Sequence, residues 1–227
     1  SYVFKDTAEA AGRFALAESG NIYTRIMNPT SDVFEKRIAA LENAQAALAV
    51  ASGSSAIFYA VTNIARSGDH IISSKSTYVG TYNLFQNTLA DMGISVTFVK
   101  GENVNEFEEA ITDKTKLIFI ESFGNPNSNV IDIEEVARIA HSHKIPLVVD
   151  NTFATPYLLR PVDYGADIVV HSATKYLNGH GDVIAGFAAG KKEFIDKVRL
   201  FGIKDMTGSV MSPFDAYLIN RGMKTLE

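Results

Sequence analysis

Short apolar runs alternate with amphipathic stretches along this chain. The runs cover residues 46–50, 70–73, 96–99, 117–121, 147–150, 168–171 and 184–188. Each is brief and rich in Ala, Val, Ile or Leu, the pattern of a strand covered on both faces. Between them the periodicity is helical. Phe34, Ile38 and Leu41 recur at +4 and +7 behind the start signals of residues 28–31. Ile133, Val136, Ala137 and Ala140 share one face, with Asp132 placed as an N-cap. Similar patterns span 55–65, 81–92, 105–111, 192–201 and 213–223. Strand–helix alternation of this length predicts an α/β fold, a mainly parallel sheet flanked by helices on both sides. No repeat, low-complexity tract or linker interrupts it. In such sheets ligands lie outside the carboxyl ends of the strands, so the residues just after each run are the candidates for chemistry.

Composition narrows the function classes. The 227 residues are 46% apolar, enough for a sizeable core, and the formal charge is −5. A mildly acidic chain offers no overall basic field to nucleic acid or anionic lipid, so neither is expected as a partner. The absence of Cys removes disulfides, zinc–thiolate sites and Cys nucleophiles. No run is long enough to span a bilayer. Lys5, Asp6 and Glu9 interrupt the start where a secretory signal needs an apolar core. The chain begins without Met and stops inside a helical pattern, so a piece of a longer, soluble, cytoplasmic protein is expected. No metal site is expected: His70, His141, His143, His171 and His180 are scattered, and the nearest two stand two apart on a helix. No GxSxG or HExxH string is present, no GxGxxG follows a strand, and residues 186–192 lack the spacing of a P-loop.

Three strand ends do carry chemistry. After 46–50 comes Ala51-Ser52-Gly53-Ser54-Ser55-Ala56, a small-residue turn opening a helix. Its backbone N–H groups at the positive end of the macrodipole suit a phosphate. Ser52 or Ser54 would serve equally as an ordinary cap. After 147–149 comes Asp150, a carboxylate at the mouth of a buried strand. It is either a loop cap or a fixed anion waiting for a cationic ligand group. After 168–170 comes His171-Ser172-Ala173-Thr174-Lys175, two hydroxyls and an amine within four residues. A surface Lys in a polar loop is the plain alternative. A Lys desolvated in an apolar site has a lowered pKa and attacks carbonyl carbon. Phosphate cup, lone carboxylate and hydroxyl-flanked Lys together describe a site for pyridoxal 5'-phosphate. The cup and hydroxyls would hold the phosphate, Lys175 would form the Schiff base, and Asp150 would face the pyridine nitrogen. Tyr78 could stack on the ring.

The sequence resembles the Cys/Met-metabolism group of fold-type I (aspartate aminotransferase-like) pyridoxal phosphate enzymes. That group includes methionine γ-lyases, O-acetylhomoserine sulfhydrylases and cystathionine γ-synthases. The resemblance rests on YTRIMNPT (23–30), ASGSSAI (51–57), GDHII (68–72), ESFGNPNSNVIDI (121–133), VVDNTFATPYLLRP (148–161), GADIVVHSATKYLNGHGDVIAG (165–186), KDMTGSVMSPFDAYL (204–218) and RGMKTL (221–226). It implies that Lys175 holds the cofactor and shuttles protons, and that Ser172, Thr174 and the backbone of Gly53 and Ser54 bind the phosphate. Asp150 would pair with the ring nitrogen and Asn125 would lie near the 3-oxygen. Tyr78 would stack on the ring and act as acid and base at the leaving group. Tyr23 and Arg25 would reach the neighbouring subunit's phosphate, which implies a homo-oligomer, a dimer or homotetramer. Residues 1–45 would form an N-terminal arm and first helix contacting that neighbour, and 46–227 the cofactor-binding large domain. The C-terminal domain, with its Arg for the substrate carboxylate, lies outside the sequence.

Two departures bear on the reaction. The group's YGGT or YGCT is Tyr78-Val79-Gly80-Thr81 here. Gly80, where methionine γ-lyases typically carry Cys, together with residues 81–85, resembles the sulfhydrylases. Residues 13–20 and 204–208 resemble the γ-lyases. The expected activity is γ-elimination or γ-replacement in methionine and cysteine metabolism or trans-sulfuration. The leading expectation is a lyase converting L-methionine to 2-oxobutyrate, methanethiol and ammonia. The alternative is a transferase joining sulfide to O-acetylhomoserine, or else a cystathionine γ-synthase or γ-lyase. A truncated homologue acting only as an oligomerisation module is the non-enzyme alternative.

Overall fold

The computed structural model describes residues 2–227 and contains one seven-stranded sheet. The strands are β1 Ala46–Val50, β2 His70–Ser74, β3 Ser95–Val99, β4 Thr115–Glu121, β5 Leu147–Asp150, β6 Ile168–His171 and β7 Gly186–Gly190. Their spatial order is β1-β7-β6-β5-β4-β2-β3. All neighbouring pairs are parallel except those of β7, which is antiparallel to both β1 and β6. Six strands therefore share one direction, and their carboxyl ends open on one edge.

Every predicted strand is present. The last lies at 186–190 rather than 184–188, because Ile184 is 70% exposed and belongs to the loop before it. The unbroken apolar runs have the physical cause assigned to them. On one face Leu48, Ile71, Phe119, Val148 and Val170 pack with α3 (Gly53–Ile64). On the other, Ala47, Ala49 and Phe187 pack with α2 (Pro29–Leu41), and Ile118, Val149 and Val169 with α6 (Ile133–Ser142).

Caps set where the helices begin. Asn28 accepts the Thr30 N–H at the start of α2, Ser52 the Ser55 N–H at α3, and Asp132 the Glu135 N–H at α6. Helix α1 (Thr7–Phe14) was not foreseen; it buries no residue, so it leaves no apolar face to read. Helix α4 (Val79–Asn83) continues into a π-helical segment at 84–89 that buries Phe85 and Leu89. The remaining helices are α5 (Asn105–Glu109), α7 (Thr155–Leu158), α8 (Lys192–Val198) and α9 (Pro213–Gly222), with a second π-helical segment over 199–207. Helix α2, grouped by sequence with the N-terminal arm, shares the sheet's core: Phe34 and Ile38 are fully buried beside Phe187 and Ile219. Among the described residues no helix is long and apolar enough to cross a membrane.

Candidate active site

At the carboxyl edge of the sheet a cavity of about 730 Å³ is lined by Gly53, Ser54, Tyr78, Asn125, Asp150, Ser172, Thr174 and Lys175. Eight of the ten residues singled out from sequence thus meet in one place. A hollow of about 770 Å³ on another side of Ser54 is lined by no acid, base or nucleophile beyond small hydroxyls and the buried Tyr59, so chemistry belongs to the first.

The turn after β1 brings three segments into contact. Ser52 is the cap, its Oγ 3.1 Å from the Ser55 nitrogen, which settles the choice between Ser52 and Ser54. Neither the Gly53 nor the Ser54 N–H has an acceptor among the described residues. Both sit in the first turn of α3, where intrahelical acceptors do not reach. An added Cβ on Gly53 would stand 2.6 Å from the Ser172 Cβ, and one on Gly186 2.2 Å from the Ser52 carbonyl oxygen. The glycines let the α3 start, the end of β6 and the start of β7 touch.

The loop after β6 supplies the hydroxyls and the amine. The Ser172 N–H donates to Thr152 Oγ1 at 2.8 Å. Thr174 Oγ1 lies on the cavity but bonds the Ala185 backbone twice, donating to its carbonyl (3.2 Å) and accepting its N–H (3.0 Å). Lys175 corrects the sequence reading: it is exposed on the cavity wall, not desolvated. The cause is topological. The loop leaves the sheet at the open side, and its neighbour Tyr176 is also exposed.

Asp150 is buried, and its Oδ1 accepts the Thr152 N–H (3.0 Å) and hydroxyl (2.5 Å). Burial raises its pKa, and the Thr152 bonds and nearby His171 work the other way. It is not lone, as sequence implied. Glu121, its register partner on β4, lines the same cavity, with its pKa pushed up to about 8 by burial and by Asp150. Glu121 Oε1 accepts the Tyr78 N–H at 2.6 Å. Tyr78 is half exposed, and its ring lies on Gly80, where an added Cβ would be too close to the ring carbons. Val79 is exposed and its φ is not left-handed, so Val in place of the group's Gly strains nothing. Asn125 is held by its N–H to the Ser76 carbonyl, 3.2 Å.

Tyr23 and Arg25 stand apart from the cavity of their own chain. Arg25 lies over the Tyr23 ring at 5.6 Å, and its Nη1 donates to the Lys204 carbonyl at 2.5 Å. Sequence reasoning missed Glu121, Thr152 and the aromatic wall of Phe123, Phe153 and Tyr176, whose rings follow one another at 5.6 Å. The signal for Glu121 was present, since it ends an apolar run as Asp150 does. Among the described residues no His, Asp or Glu group could hold a metal ion.

The donor set fits pyridoxal phosphate. Two free N–H groups at the α3 start and the Ser172 side chain line the cavity together, brought close because Gly53 has no Cβ to meet Ser172, a donor set that suits a phosphate. Buried Asp150 suits a ring cation, and the Lys175 amine opens on the same cavity.

A family model described as Cys/Met metabolism PLP-dependent enzyme matches residues 1–227. An L-methionine gamma-lyase of Treponema denticola is 51% identical over 225 residues, 98% of this chain and 56% of that protein. An O-acetyl-L-homoserine sulfhydrylase of Leptospira meyeri is 44% identical over 265 residues, covering all of this chain and 60% of that protein. A crystal structure from Campylobacter jejuni, assigned as an O-acetylhomoserine (thiol)-lyase and carrying an N'-pyridoxyl-lysine-5'-monophosphate, superposes with a TM-score of 0.95 at 36% identity. The match covers all of this chain and 64% of that one. The chain thus spans little more than half the length of the curated relatives it matches.

Proposed function

Because the chain belongs to the Cys/Met metabolism PLP-dependent enzymes, we propose that it is the cofactor-binding part of a methionine γ-lyase. L-Methionine and water would give 2-oxobutyrate, methanethiol and ammonia. One observation carries the reading: the α3 start, the Asp150 carboxylate and the Lys175 amine converge on one cavity at the carboxyl edge. The lyase assignment adds the relatives of that name at up to 51% identity.

When bound, the cofactor supplies an electron sink for the carbanion formed at the substrate α-carbon. The rest falls to the protein. The Gly53 and Ser54 N–H groups and the Ser172 hydroxyl bind the phosphate, and Asp150 fixes the ring nitrogen as a cation. Lys175 Nζ would hold the cofactor through its carbonyl carbon, and the same amine, when free, would take the α-proton and later a β-proton. The Tyr78 hydroxyl, on the same cavity, protonates the departing thiolate. Tyr23 and Arg25, away from their own cavity, complete the phosphate site of a second copy, so the working enzyme is a homo-oligomer. Covering of the open side by the rest of the assembly supplies the desolvation that Lys175 lacks here. In a reducing cytoplasm the Cys-free chain functions without disulfides.

The second reading is an O-acetylhomoserine sulfhydrylase, favoured by Gly80, on which the Tyr78 ring lies. The full-length enzyme decides between them. Prompt 2-oxobutyrate and methanethiol from L-methionine alone support the lyase. Homocysteine formed only from O-acetylhomoserine plus sulfide overturns it.

A further inference from the structure

Glu121 ends β4 and Asp150 ends β5, and the two are direct partners in a parallel pair. Register partners on parallel strands present their side chains to the same face, and both line the same cavity. Both are buried, and neither is within ion-pair distance of a Lys, Arg or His among the described residues. Two neighbouring carboxyl groups removed from water, with no cation between them, do not both ionise readily; such pairs share one proton. The hydrogen bonds decide which of them keeps it. Asp150 accepts two bonds from Thr152 and feels His171 from β6, all favouring its anion. Glu121 accepts one, from the Tyr78 N–H that opens α4. That bond uses Oε1 and leaves Oε2 for the proton.

We propose that Glu121 is a positioning residue of the cofactor site: a protonated carboxyl that pins Tyr78 through its backbone N–H and leaves Asp150 as the single fixed anion. The inference rests on the reading that this cavity takes pyridoxal phosphate. A neutral Glu121 makes the ring site singly negative, matched to one pyridinium, and keeps the loop bearing Tyr78 at a fixed height above it. The groups acting on its titration are Asp150 from β5 and the Tyr78 N–H.

The test uses the full-length enzyme with its cofactor removed and then restored. In the apoenzyme, infrared difference spectra should show a protonated-carboxyl band that disappears as pH rises through about 8. Glu121→Gln should lack the band, and Asp150→Asn should move its loss to lower pH by removing the like charge. On adding pyridoxal phosphate, Glu121→Ala should weaken binding about tenfold, since it strands the Tyr78 N–H. Glu121→Gln, which keeps the acceptor, should weaken it less than about threefold. A band that persists in Glu121→Gln overturns the proposal, as does equal weakening by Gln and Ala. If Glu121→Ala does not fold, the Gln and Asn variants decide it. Failure of the wild type to take up the cofactor at all would defeat the functional reading instead, while the infrared result still judges Glu121.

Discussion

Replacing Gly53 with Ala puts a methyl group where the structure has no room for one. The new Cβ would lie 2.6 Å from the Ser172 Cβ, 2.8 Å from its Cα and 3.1 Å from its nitrogen. Carbon atoms in contact settle at about 3.5–4.0 Å, so the overlap is roughly an ångström. Ser172 does not yield easily. Its N–H is bonded to Thr152, and His171 before it is paired with Phe187 in the sheet. Nor can Ser52 retreat towards β7, because Gly186 is packed against its carbonyl. The first turn of α3 must move outward, parting its free N–H groups from the Ser172 hydroxyl. Overpacking of this kind costs about 1–3 kcal/mol of stability. Losing one charge-assisted bond to the phosphate costs a further 1.5–3 kcal/mol, about 10- to 150-fold in cofactor affinity. Urea titration of the full-length apoenzyme measures the first, and absorbance titration with pyridoxal phosphate the second. Unchanged stability together with binding within twofold of wild type would refute both the close approach and the placement of the phosphate there.

Lys175→Ala should abolish turnover while leaving the fold intact, as checked by circular dichroism; substantial residual turnover would contradict its role. Arg25→Ala should weaken cofactor retention at only half of the sites in mixed dimers with wild type, as counted by cofactor occupancy. Glu121 gives a pH dependence with a definite sign. Its folded value of about 8 lies above the ordinary 4.5, so the stability it contributes is complete below 4.5 and is lost as pH rises through 8. Between those limits the loss is about 1.4 kcal/mol per pH unit. Urea midpoints of wild-type and Glu121→Gln apoenzyme should therefore diverge across that window and run parallel outside it.

The central strands were legible because helices cover both faces, so most of their positions are apolar. The offset at β7 arose from Val183 and Ile184, apolar residues spent on the loop before it, where Ile184 is exposed. Helix α1 was illegible for the opposite reason, since nothing on it is buried. At the site, composition at the strand ends was enough to single out Gly53, Asp150 and Lys175, which line one cavity. The exposure of Lys175 could not be read, because it depends on which side the loop leaves the sheet. Pairing of Glu121 with Asp150 depends on strand order, β4 beside β5, and local sequence does not encode which strands become neighbours.

Beneath the site lies a buried polar cluster that stability alone does not explain. Glu42, just past the end of α2, and His171, the last residue of β6, are both fully buried and meet at 2.5 Å. The imidazole stacks on Phe187 at 4.4 Å, and Asn151 Nδ2 donates to the Leu159 carbonyl and, at 3.4 Å, to Glu42. Well-packed hydrocarbon of similar volume is commonly as stabilising as a buried ion pair. What hydrocarbon lacks is direction. Two members of the cluster adjoin residues of the cavity, His171 before Ser172 and Asn151 after Asp150, and Glu42 closes helix α2. A shift of any one would tilt the strand end or helix that carries its neighbour, and directional bonds resist that where dispersion contacts do not. His171 also lowers the pKa of Asp150. The same buried pair thus fixes the two strand ends that present Asp150 and Ser172 to the cavity.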